Sequence, residues 1–147
     1  VSGNLVLALD AVKDPGNLGT IIRLADWFGV QHVICSENCV ELYNPKVVQA
    51  TMGSISRVQV QHVNLKSTLE NMTDYKIYAA VMNGKSVFSL NKSEKRIVLM
   101  GSESHGLSAE LIELAHQKIT IPKLKKSQAE SLNVANACGI ILSHLSY

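Results

Sequence analysis

Residues 5–29, LVLALDAVKDPGNLGTIIRLADWFG, decide the fold. The run LVLAL (5–9) is continuously apolar and ends at Asp10, the pattern of a strand buried on both faces. After a polar turn the period changes. Leu18, Ile21, Ile22, Ala25 and Phe28 recur at helical spacing from near Asn17, and Gly29 sits where a helix commonly ends in a left-handed residue. The unit then repeats. HVIC (32–35), RVQVQHV (57–63), KIYAAVM (76–82), RIVLMG (96–101) and KITIP (118–122) read as further strands of the same buried kind. Helical stretches open at Pro45, Asn64 and Ser108, residue types that favour helix starts. Strands alternating with helices predict one α/β domain over 1–147, a mostly parallel sheet covered by helices on both faces.

Chain totals narrow the classes further. With 46% hydrophobic and 18% charged residues, the 147-residue chain is composed like a folded domain rather than a disordered one. No apolar run reaches the ~18 residues of a membrane span. The start lacks a basic, cleavable leader, and three cysteines do not make a disulfide framework, so a cytoplasmic, reduced protein is expected. Cys35 and Cys39 have no nearby His/Cys pair to complete a metal site, so no metal is expected. A net charge of +2 does not by itself argue for nucleic acid. The run Lys123, Lys125, Lys126 is denser; it suits phosphates, and equally suits a solvated loop.

In parallel sheets, ligands bind beyond the carboxyl ends of the strands. Those ends fall at 10–17, 82–85, 101–106 and 122–131, all rich in Gly, Asn and Ser. Neither the dinucleotide pattern G-x-G-x-x-G nor the P-loop pattern is present, which disfavours a nicotinamide enzyme or a P-loop nucleotidase. Three constellations remain. In DPGNLGTIIRLADWFG (14–29), Arg23 stands almost opposite the apolar stripe and shares its face with Thr20 and Trp27. Either Arg23 is solvated and paired with Asp26, or this face meets a second subunit or a ligand. In VLMGSESHGLS (98–108), Gly101 and Gly106 bracket Glu103, as in a plain strand-to-helix turn or a close approach to a ligand. In ITIPKLKKSQAESLNVANACG (119–139), a basic loop leads to a helix that reads as buried nearly all round. Ser131 is placed as its N-cap, and Asn133 and Asn136 share the remaining strip.

Asn17-x5-Arg23, then Gly101-x-Glu103-x-x-Gly106-Leu107, then Ile121-Pro122 followed by Ser131-Leu132-Asn133-Val134 together resemble the three motifs of the SpoU/TrmH-type RNA 2′-O-ribose methyltransferases of the SPOUT superfamily. The resemblance runs along essentially the whole chain, in order. It implies a C-terminal deep trefoil knot, which physical reasoning alone would not suggest because threaded chains are rare. It implies S-adenosylmethionine as cofactor, S-adenosylhomocysteine as product, a homodimer with its site at the subunit interface, and tRNA or rRNA as substrate. Matched residue by residue, it implies catalytic roles for Arg23, Asn17, Glu103, Ser131 and Asn133. It implies cofactor contacts from Val81, Met82, Asn83, Gly84, Gly101, Glu103, Gly106, Ile121, Ser131 and Leu132. Arg23 with Lys123, Lys125 and Lys126 is expected to meet RNA. The sequence departs from the family where Lys123 replaces the usual Met after Ile-Pro, where Ser104 stands at a common Gly, and in a slightly long 121–132 loop. The family often carries an N-terminal RNA-binding domain; the chain opens on Val1, and such a domain is expected to be absent from it. A non-catalytic RNA-binding relative with the same fold is the alternative.

Overall fold

The computed structural model describes residues 3–92 and 94–147. The elements are β1 (Leu5–Asp10), α1 (Pro15–Trp27), β2 (His32–Ser36), α2 (Pro45–Thr51), β3 (Gln59–Val63), α3 (Leu65–Asn71), β4 (Lys76–Ser86), β5 (Arg96–Gly101), α4 (Ala109–Leu114), β6 (Gln117–Thr120) and α5 (Val134–Ser146). Six strands form one sheet in the order β3-β2-β1-β5-β4-β6, and every neighbouring pair is parallel.

The two-sided burial expected of the central strands follows from their alternation. Leu7, Leu9, Val33, Val98 and Met100 face one layer with Leu18, Ile21, Ile22, Val47, Ile141 and Leu142, so α1, α2 and α5 cover that side. Val6, Ala8, Ile34, Ile97 and Leu99 face the other with Leu65, Leu69 and Leu111 of α3 and α4. Helix starts lie where side chains can accept the first N–H groups: Asp14 caps α1, Asn44 caps α2 and Asn64 caps α3. Gly29 takes φ 71° just past α1.

Several expectations change. The 57–63 and 118–122 strands are not buried on both faces: β3 and β6 are the two edge strands, β3 with exposed and half-buried residues throughout and β6 with only Ile119 buried. The 82–85 stretch is not a rim loop but the second half of β4, which pairs with β6 again after a register break between Ala80 and Lys85. The last helix starts at Val134 with Asn133, not Ser131, as its cap; Asn133 Oδ1 accepts from the N–H groups of Ala135 (2.9 Å) and Asn136 (3.2 Å). Nor is that helix buried all round, since Asn136, Ile140, Ser143 and Tyr147 form an exposed stripe along it.

What positions the site is the return of the chain after β6. That strand lies at one edge of the sheet, yet α5 packs against α1, which covers the layer above β1. Residues 121–133 therefore cross back over the carboxyl ends of β4 and β5.

Candidate active site

Three loop ends meet at Glu103. After β5, Ser102 and Gly106 form an isolated antiparallel bridge, and Gly106 N–H donates to the Ser102 carbonyl at 2.8 Å. Gly106 turns the chain with φ 65°. At Gly101 a Cβ would lie 2.2 Å from the Gly106 carbonyl carbon and 2.3 Å from Leu107 N, so only glycine lets the turn fold back so closely. Ser104 has no left-handed backbone to maintain and its Oγ pairs with His105 Nδ1 at 2.9 Å, so this departure from the family pattern fits without strain.

The tight turn lifts Glu103 toward two other segments. Its Oε1 accepts from Asn133 Nδ2 (2.6 Å), Val134 N–H (3.0 Å) and Asn17 Nδ2 (3.2 Å). Asn133 Nδ2 also donates to Asn17 Oδ1 at 3.0 Å, closing a triangle of side chains. Asn17 is itself held at the start of α1, its N–H bound to the Asp14 carboxylate at 2.8 Å. One carboxylate thus fastens the head of α1, the turn after β5 and the head of α5. Such charge-assisted hydrogen bonds are stronger than neutral ones.

Beside this junction opens a cavity of about 670 Å³, within the ~300–1,000 Å³ range of small-molecule sites. Its walls include Val81, Met82, Gly101, Glu103, Gly106, Ile121, Ser131 and Leu132, eight of the expected cofactor contacts. Asn83 and Gly84 lie outside the lining: a Cβ on Gly84 would stand 2.7 Å from Ile119 backbone, so Gly84 serves the β4–β6 crossing instead. Lys123 lines the cavity, while Lys125 and Lys126 are exposed outside it. The sequence did not single out Ile112 and Ile141, whose apolar faces complete the wall. Nothing marks them, because they look like any core residue. His105 and Glu130 also line it; their only signal is adjacency to the motif residues.

Arg23 is elsewhere. It is exposed on α1 and is not part of the cavity lining. The i+3 pairing with Asp26 does not form: Asp26 binds Arg57 (2.8 Å) and Ser54 Oγ (2.7 Å). The Arg57 hydrogen bond first, then that of Ser54, hold the Asp26 carboxyl below its ordinary range. Arg23 makes no ion pair among the described residues, and Trp27 on its face is 79% exposed. Among the described residues no group of three or more His, Cys, Asp or Glu side chains gathers as metal ligands would, and no helix is long and apolar enough to cross a membrane.

The SpoU rRNA Methylase family matches residues 4–143. The chain is 36% identical over 143 residues to the 23S rRNA (guanosine(2553)-2′-O)-methyltransferase RlmP of Bacillus subtilis, covering 95% of this chain and 57% of that protein. It is 34% identical over 142 residues to the 23S rRNA (guanosine-2′-O-)-methyltransferase RlmB of Blochmanniella floridana, covering 94% and 55%. Among solved structures, an AdoMet-bound rRNA methyltransferase from Sinorhizobium meliloti superposes with TM-score 0.90 at 33% identity, covering 99% of this chain and 56% of that one. AviRb of Streptomyces viridochromogenes with its cofactor AdoMet gives 0.89 at 27% identity, covering 99% and 58%. The chain thus spans little more than half the length of these relatives.

Proposed function

This chain belongs to the SpoU rRNA methylase family, and from that premise we propose that it transfers a methyl group from S-adenosylmethionine to the 2′-hydroxyl of a ribose in rRNA or tRNA, leaving S-adenosylhomocysteine. The observation that carries this reading is the convergence of Asn17, Glu103 and Asn133 at the edge of the cavity. A cradle that excludes a Cβ at Gly101, walls that are mostly apolar, and the Glu103 carboxylate fit a flat adenosine joined to a cationic sulfonium. When bound, the donor supplies an already activated methyl. The chain's own work is to hold donor and acceptor in line and to ease loss of the hydroxyl proton. Glu103 and Asn133 fix the head of α5, and with it the approach of Ser131 and Leu132 to the cavity mouth. In this reading Ser131, which lines the cavity, orients the acceptor.

Arg23 acts on that hydroxyl from a second protomer in this reading. A guanidinium is a donor that keeps its proton, so we assign it an electrostatic role: it anchors a phosphate and stabilises the forming alkoxide, while the proton passes to water or phosphate. The support for a homodimer is the pair of uncovered surfaces on the packed helices α1 and α5. One bears Arg23 and Trp27, the other Ile140 and Tyr147. Lys125 and Lys126 would flank the RNA. The return of 121–133 across the sheet is consistent with the family's knot. The free cysteines suit a cytoplasmic setting.

The test is methylation of rRNA and tRNA with labelled donor by the longest natural chain, with the modified ribose mapped. Arg23→Ala should lower transfer by about 100-fold or more without shifting the unfolding midpoint, and wild type should sediment as a dimer at micromolar concentration. A wild type that binds RNA but neither donor nor product would return the non-catalytic relative.

A further inference from the structure

Residues 122–133 are exposed without interruption as they cross the cavity from β6 to α5. They form no regular element, yet Lys123, Leu124, Ser127 and Ala129 stand in the cavity wall. Among the described residues, two hydrogen bonds within the segment hold its shape before it reaches Asn133. Ser127 N–H donates to the Leu124 carbonyl at 2.9 Å, and Lys123 Nζ donates to the Ala129 carbonyl at 2.6 Å. The second bond joins the two ends of the loop. It also turns the Lys123 ammonium back on its own backbone, unlike the outward lysine expected to meet RNA. A methionine at this position would have no donor with which to make it.

We infer that Lys123 is a positioning residue. Its ammonium straps loop 123–129 into a preformed flap, so that Ser131 and Leu132 stand at the cavity mouth before the donor enters. The inference rests on the proposed reading of the cavity as the S-adenosylmethionine site. An exposed loop without the strap samples many conformations, and the ordering cost then falls on ligand binding. The strap moves that cost into folding. It acts on affinity for the donor and leaves the transfer step alone, because bound donor at saturation orders the loop and Ser131 with it, and Lys123 touches neither the Glu103 junction nor Arg23.

S-adenosylhomocysteine is titrated by calorimetry into wild type, Lys123→Met and Lys123→Arg, and steady-state methylation is measured with each. Lys123→Met should bind about 3- to 10-fold more weakly, the size of one charge-assisted hydrogen bond lost in water. KM for the donor should rise by a like factor while kcat at saturation holds. Lys123→Arg keeps a donor within reach and should recover most of the affinity. Tryptic cleavage after Lys125 or Lys126 should quicken in Lys123→Met and slow again with S-adenosylhomocysteine present. Equal affinity and equal cleavage in wild type and Lys123→Met would overturn the strap, as would weakened RNA binding with donor affinity intact, which assigns Lys123 to a phosphate. If wild type itself binds no S-adenosylhomocysteine, the methyltransferase reading falls first and takes the strap with it.

Discussion

Glu103→Ala removes the acceptor shared by three segments, and its cost can be worked from the geometry. Oε1 takes N–H groups at 2.6 Å from Asn133, 3.0 Å from Val134 and 3.2 Å from Asn17. The longest bond counts least. Exposed bonds of this kind contribute about 0.5–1 kcal/mol each, because water competes for both partners. The total is therefore about 2 kcal/mol. In a chain of this size about 1 kcal/mol moves the melting temperature by roughly 2–4 °C, so a fall of about 4–8 °C is expected. Helix α5 itself keeps its cap, since Asn133 Oδ1 still accepts from Ala135 and Asn136. What is lost is the tie between that cap and the 102–106 turn. Amide hydrogen exchange resolves the two. The Val134 amide loses its acceptor and should exchange about tenfold faster or more, whereas the Asn136 amide keeps its protection. Glu103→Gln retains one oxygen without the charge and should recover about half the stability. An unchanged melting temperature together with unchanged Val134 exchange would refute the view that Glu103 fastens the head of α5.

Gly101→Ala must push the Gly106–Leu107 backbone from 2.2 Å to at least 3.4 Å from the new carbon, a shift of about 1.2 Å. That distance is enough to break the Glu103–Asn133 bond, so both the thermal midpoint and affinity for S-adenosylhomocysteine should drop; a variant that binds as wild type does would contradict it. His144 lies below its ordinary value of 6.5, first because burial disfavours its charged form and then because Lys92 and Arg96 repel it. Below pH 6.5 the unfolded chain takes up this proton more readily than the folded one, so the stability His144 contributes is full above that pH and is lost as pH falls. His32, shifted the same way, adds to the slope. His144→Gln should flatten, but not abolish, the decline in melting temperature between pH 7 and pH 5; an unchanged slope would remove His144 from the account.

Local chemistry was readable where it is written in neighbouring residues. The change from continuous apolar runs to helical spacing located every strand and helix of the central layers, and Asn64, Ser108, Pro45 and Gly29 marked helix ends because caps act within one turn. The errors fell where pairing or packing outvotes local pattern. Residues 82–85 look like a loop, yet β4 continues through them because β6 offers a second register. Ser131 looks like a cap, yet Asn133 is drawn into that role while its amide binds Glu103. Asp26 stands at the right spacing for Arg23 but has Arg57 and Ser54 nearer, which leaves Arg23 exposed.

The order of residues by itself determined the α/β layering, the rim on which to look, and a set of polar residues resembling one family's motifs. It could not determine that Asn17, Glu103 and Asn133 touch. Their hydrogen bonds join positions 86, 30 and 116 residues apart, and no periodicity spans such separations. Only the tertiary structure decided that, because the return of 121–133 across the sheet edge places the head of α5 over the turn after β5. It also decided that Lys123 points back into its own loop and that Arg23 stays outside the cavity, since both depend on which partner lies within about 3 Å once the chain is packed.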